Sequence, residues 1–187
     1  MKKEKILLGS GKLYVIIAQD ELPEDLTTLA VEENRIGWIQ GGATLEYKPT
    51  FYTTKDDLGM VTKETITEEE ATFKSGLLTW DVESLNKLLE TGRVETTSKH
   101  RILKIGGITN AKKQKYVILF HHEDKTDGDL YVAIVGSNQS GLTVGFAKDK
   151  ETVVDAEFKA SPMDDEGTLI QLIESLPAQS AEQKVDI

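Results

Sequence analysis

Three kinds of residue in this sequence could do chemistry: an adjacent histidine pair, several runs of carboxylates, and a glycine–lysine turn. His121-His122 forms the pair, and His100 is the third histidine. Neighbours on a strand point to opposite faces, so the two rings cannot close on one metal ion; they read as a satisfied or solvated pair at a strand end. Carboxylates cluster at Asp56-Asp57, Glu68-Glu69-Glu70 and Asp164-Asp165-Glu166. Acid–base catalysis needs a pair whose surroundings drive the two pKa values apart, and these runs fall in turns or on a polar face. Asp127 and Asp129 flank Gly128 but lack the alternating oxygen ligands and closing glutamate of a calcium loop. "GSGK" at Gly9–Lys12 is half of a phosphate loop: the earlier glycine is replaced by Ile6 and the following hydroxyl by Leu13. With no cysteine there is no thiolate nucleophile, thiolate metal site or disulfide framework. The expectation is a protein with no catalytic residue, no metal and no cofactor.

The 187 residues suffice for one domain with a sizeable core, and the formal charge of −10 argues against a protein that grips nucleic acid by neutralising phosphates. The apolar run Ile6-Leu7-Leu8 is too short for a signal peptide, and no window reaches the ~20 apolar residues of a membrane span. These features predict a soluble chain made in the cytoplasm, without membrane insertion.

The elements that would position any site read mostly as strands. Leu13–Ala18 is a compact strand, and Asp20–Asn34, punctuated by Pro23, reads as a long loop. Ala43–Thr54 alternates as a strand, and Pro49 marks it as an edge or a bend. Thr54–Met60 supplies a turn, after which the chain returns as the partner strand through Phe73. Asp81–Thr91 is the helix: Asp81 is an N-cap, Trp80 and Leu85 a hydrophobic staple, and Gly92 a left-handed C-terminal residue. Val82, Leu85, Leu88 and Leu89 form its apolar stripe, which together with Trp80 must pack on a sheet. Strands resume at 100–105, 115–122, 130–136, 141–147 and 153–160. The segment 167–176 fits either a helix or a strand, and 177–187 reads as a flexible tail. The domain is thus 1–176, with 1–12 as a possible N-terminal arm.

Strict alternation along the returning strand places Val61, Thr65, Thr67, Ala71, Phe73 and Leu77 on one face, interrupted by Lys63 and Glu69. Thr62, Glu64, Ile66, Glu68, Glu70 and Thr72 take the other face, and the partner strand adds Glu46, Lys48, Thr50, Tyr52 and Thr54 to it. The result is a long hairpin with one covered and one wet, acidic face.

In order, "GWIQGGATLEYKPTFYTTKDDLG" (37–59), "ETITEEEATFKSGLLTWDVESLNKLLETG" (64–92) and "TVVDAEFKASPMDDEGTLIQLIE" (152–174) resemble the first long strand and hairpin loop, the returning strand with its helix, and the closing hairpin of siphophage tail tube proteins. The resemblance spans Ile36–Ile173. It implies a mainly β, sandwich- or barrel-like fold with one flanking helix. It further implies homohexameric rings stacked into a tube, which holds the tape measure protein, ends on tail terminator and baseplate or distal tail proteins, and conducts double-stranded DNA without binding it. The location implied is the virion tail, assembled in the bacterial cytoplasm. On this reading Glu46, Lys48, Glu64, Glu68, Glu70 and Lys74 line the lumen. The loop Thr54, Lys55, Asp56, Asp57, Leu58, Gly59 and Met60 reaches the next ring. An inner tube protein of a contractile system shares the fold. An adhesin or capsid decoration module is the rival of another class, and would show an aromatic recognition patch.

Overall fold

The computed structural model describes residues 9–60, 62–149 and 151–175. Val61, Ile6–Leu8, Leu176 and the expected tail 177–187 lie outside them. In chain order the elements are β1 (Lys12–Ile17), β2 (Arg35–Gly37), β3 (Ile39–Lys55), β4 (Thr62–Leu77), α1 (Val82–Lys87), β5 (Arg93–Thr96), β6 (Arg101–Lys104), β7 (Tyr116–His122), β8 (Leu130–Asn138), β9 (Val154–Ser161) and β10 (Gln171–Glu174). The fold is mainly β, with one short helix.

One antiparallel sheet runs in the order β2-β1-β7-β8-β9-β4-β3. β8 splits its second edge: Leu130–Ala133 pair with β10, and Val135–Asn138 pair with β9. The two outermost strands, β2 and β3, are separated in sequence by Trp38 alone. Two residues across that gap can stand no more than ~7.6 Å apart, so the two edges of the sheet must meet and the sheet closes into a barrel-like roll. Trp38 fastens the seam to the residues just past β4: Trp38 N donates to Thr79 Oγ1 (2.9 Å), and Trp38 O accepts from Leu78 N (2.8 Å).

Inside the roll lie Leu13, Val15, Ile36, Phe73, Leu77, Ile118, Ile134 and Phe158, and α1 closes it with Leu85 and Leu88. The other side of β1, β7 and β8 carries Tyr14, Val117, Leu119, Ala133 and Val135, covered by Leu26 from a 3-10 turn within the long loop 20–34. Both faces of β7 are therefore buried, which explains its unbroken apolar run YVILF. β8 and β9 pass so close that a Cβ at Gly136 would stand 2.0 Å from the carbonyl oxygen of Lys159.

The helix is shorter than its apolar stripe suggests. Asp81 does cap it, accepting from Ser84 N at 2.8 Å, but after Lys87 the chain tightens, with Leu88 N donating to Leu85 O. Leu88 and Leu89 are buried from that turn and Val82 is half-buried. Trp80 is no staple; it is 53% exposed, with its ring 6.1 Å from Phe146. Gly92 does not adopt a left-handed conformation; it is glycine because a Cβ would meet Asn86 Oδ1 at 2.6 Å. Residues 141–147 form no strand, 171–174 settle as β10, and β2 and β5 are short strands the pattern did not announce.

Candidate functional site

The hairpin β3–β4 is twice as long as the sheet it belongs to. Among the described residues β9 pairs with β4 only from Thr72 to Leu77, Thr62–Ala71 have β3 as their one strand neighbour, and β3, the last strand of the order, has no partner on its outer edge. From Tyr47 to Lys55 the hairpin projects roughly 30 Å at strand rise. Thr54 and Lys55 still belong to β3, opposite Lys63 and Thr62, so the expected loop 54–60 contracts to the turn beyond Lys55, where Gly59 N donates to Asp56 O (3.0 Å).

Directly opposed residues share a face. The register changes twice: Gly41 and Gly42, at φ 79 and 77, are looped out of β3, and Thr67 is looped out of β4 between the pairs Thr50–Glu68 and Phe51–Ile66. The second bulge inverts the alternation of β4 toward the tip. It turns Thr62, Glu64 and Ile66 away from the wet face and onto the one continuous with the core. Glu64 accordingly sits opposite Thr53, whose hydroxyl donates to it at 3.4 Å, and leaves the set expected to line a lumen. Thr65 moves the other way and stands opposite Tyr52.

The core-continuous face therefore runs from Leu45 and Phe73 through Tyr47, Pro49, Phe51 and Ile66 into solvent. Tyr47 is 48%, Phe51 54% and Ile66 48% exposed. Glu69, which sequence alone makes an intruder on this face, is used there: Tyr47 Oη donates to its carboxylate, and that bond holds the Tyr47 phenol above its usual pKa range.

The opposite face carries Glu46, Lys48, Glu68, Glu70 and Lys74, five of the six expected residues. β9 continues it with Glu157 opposite Lys74 and Lys159 opposite Thr72. The charges interlock. Lys159 Nζ lies 2.5 Å from Glu70 and Lys74 Nζ 3.3 Å from Glu157, while Lys48 stands opposite Glu70. The hydrogen bond from Lys159, then the charges of Lys159 and Lys48, hold the Glu70 carboxyl below the usual range. The face is thus an ion-pair ladder of near-balanced sign rather than an acidic wall. The contribution of β9 was legible in the alternation Asp155, Glu157, Lys159, but not its place beside β4.

The other candidates resolve locally. His121 Nε2 is 2.9 Å from Asp129 Oδ2, its ring stacked on Tyr131 at 4.2 Å. His122 Nδ1 is 2.9 Å from Ser10 O. Among the described residues no three His, Cys, Asp or Glu side chains converge to hold a metal ion, and no helix is long and apolar enough to cross a membrane. Lys12, from the glycine–lysine turn, pairs with Glu123. Both tryptophans are at the surface: Trp80 as above, and Trp38 64% exposed with the Arg35 guanidinium 3.9 Å from its ring centre. A cleft of about 740 Å³ opens at the end of the barrel away from the hairpin tip, between Leu88–Thr91, Lys113–Lys115 and 137–142.

No protein-family model matches the chain, and no curated protein matches it.

Proposed function

We propose that this protein is a self-assembling structural subunit of a phage-type tail tube, forming homohexameric rings that stack around a channel. The observation that carries the reading is the outer half of the β3–β4 hairpin: it has open backbone edges and leaves Tyr47, Phe51 and Ile66 half in water. A two-stranded ribbon with no other described element packed on its faces is marginal alone, and open strand edges invite pairing. Neighbouring subunits that share strands and cover the apolar face supply both missing terms. Rings formed this way would house the tape measure protein, meet terminator and baseplate proteins at their ends, and pass DNA.

The ion-pair ladder of Lys48, Glu70, Lys74, Glu157 and Lys159 supports the channel role by a route different from simple repulsion. A wall on which Lys74 and Lys159 are already paired with Glu157 and Glu70 offers DNA phosphates few cations to exchange for their counterions, so the duplex slides without being held. Sedimentation of the purified protein tests the assembly: a ring-sized species supports it, and a monomer at every concentration sinks it. A map of the assembled tube with Glu46, Lys48 and Glu70 on the outer wall would remove the lumen assignment alone.

A second reading, a binding module such as an adhesin or capsid decoration protein, is favoured by one observation. Trp38, Trp80 and Phe146 are 64%, 53% and 80% exposed, an aromatic surface beside the barrel seam. A stable monomer that captures a ligand through these rings, and loses it on Trp80→Ala, would establish that reading instead.

A further inference from the structure

A second cleft, of about 380 Å³, opens beside the barrel seam between Ser10, Lys12, Arg35, Trp38, Ile39 and Glu123, a size typical of small-ligand pockets. Trp38 holds the seam through its main-chain N–H and carbonyl, while its indole stands 64% exposed. Arg35 is its counterpart. Its side chain is only 11% exposed, its guanidinium carbon lies 3.9 Å from the Trp38 ring centre, and Nη1 donates to Glu32 at 2.9 Å. Alone among the buried side-chain nitrogens and oxygens of the described residues, Arg35 Nε has no hydrogen-bond partner. Because Glu32 takes Nη1, the other edge of the guanidinium, Nε with Nη2, is given no acceptor by the described residues. These two N–H groups donate in parallel and are spaced to take both oxygens of one carboxylate. A buried donor without a partner carries a desolvation cost, and its retention points to an acceptor that the chain itself does not provide.

The surroundings decide what carries that acceptor. A carboxylate taken by this edge lies beside the guanidinium and brings its parent molecule against the indole, a flat apolar surface. Apart from Ile39, the rest of the lining is polar and of both kinds: Ser10 donates or accepts, Lys12 donates and Glu123 accepts, the last two already paired with each other. An aliphatic or aromatic acid would leave these groups facing carbon. A sugar would not, because its C–H face packs on a ring while its hydroxyls both donate and accept. The carboxylates of Glu32 and Glu123 beside the two cations disfavour a doubly charged phosphate. We propose that the cleft binds a carboxylated saccharide of the uronic-acid class, with the carboxylate on the Nε–Nη2 edge of Arg35 and the sugar ring against Trp38. Every group in the site belongs to one chain, so it goes beyond the assembly reading and stands whether or not rings form.

Isothermal titration of the full chain with glucuronate, uncharged glucuronamide and acetate tests it. Trp80→Phe leaves Trp38 as the one tryptophan, so its fluorescence reports the contact directly. Glucuronate should bind saturably and change that fluorescence, with glucuronamide and acetate each at least tenfold weaker. Arg35→Lys keeps the charge but loses the paired donors, and Trp38→Ala removes the ring while keeping the main-chain bonds of the seam. Each should weaken glucuronate binding at least tenfold with an unchanged circular dichroism spectrum; if a variant loses its fold, the ligand series on the unsubstituted chain decides alone. Glucuronamide binding as tightly as glucuronate would overturn the role of the carboxylate, and acetate binding as tightly would overturn that of the sugar. Affinity that survives Arg35→Lys, or binding heat without a change in Trp38 fluorescence, would place the ligand outside this cleft and overturn the assignment. So would the absence of saturation at millimolar glucuronate.

Discussion

At the residue scale, Asn138 shows how a loop-rich end of a barrel is held. Its amide donates to Leu88 O and Gly141 O, both at 2.8 Å, and accepts from Glu157 N and Ser140 Oγ, both at 3.0 Å. Every hydrogen-bonding position of the side chain is filled, so removal strands several partners away from water. Asn138→Ala should cost about 2–3 kcal/mol, read from the urea midpoint. Asp129 gives a pH prediction. The hydrogen bond from His121, followed by that from Asp124 N, holds its carboxyl below the ordinary range. A carboxyl depressed in the folded state stabilises above its unfolded value, near 3.9, and that contribution is lost as pH falls through the folded value. Thermal stability should therefore drop below about pH 4, and the acid limb should be shallower in Asp129→Asn. Sequence showed the Asp81 cap because capping is local chemistry. It misplaced Trp80, because size and apolarity cannot say which side of a closing seam a ring will take.

At the element scale, the hairpin is where pattern and structure part. Alternation placed Glu46, Lys48, Glu68, Glu70 and Lys74 on one face, as the register does. It failed for Glu64 and Ile66 because a one-residue bulge at Thr67 has no signature among threonines and glutamates and inverts every side chain beyond it. Deleting Thr67 should remove the bulge while leaving Ile66 opposite Phe51 and Glu64 opposite Thr53, so assembly should survive it. Phe51→Ser/Ile66→Ser should instead abolish assembly, read by sedimentation, while changing monomer stability by no more than about 0.5 kcal/mol because neither side chain belongs to the core. Gly136→Ala is the opposite case. Its Cβ would collide with the backbone of β9, so it should destabilise the monomer by about 3 kcal/mol, read by denaturant unfolding.

At the scale of the whole molecule, the predominance of β structure follows from the alternating segments and short turns. Barrel closure does not, because it depends on β2 and β3 being edges of one sheet with only Trp38 between them, a relation that appears once the pairings are known. The same pairings leave half of the longest hairpin outside the body, and that projection is the physical basis of the proposed assembly. The direct measurement is negative-stain imaging of the purified protein across concentration. The account predicts hollow rings or tubes on the order of 100 Å across, the scale of a closed ring of about two dozen strands. Uniform single particles the size of one chain, persisting at the highest concentration, would contradict it.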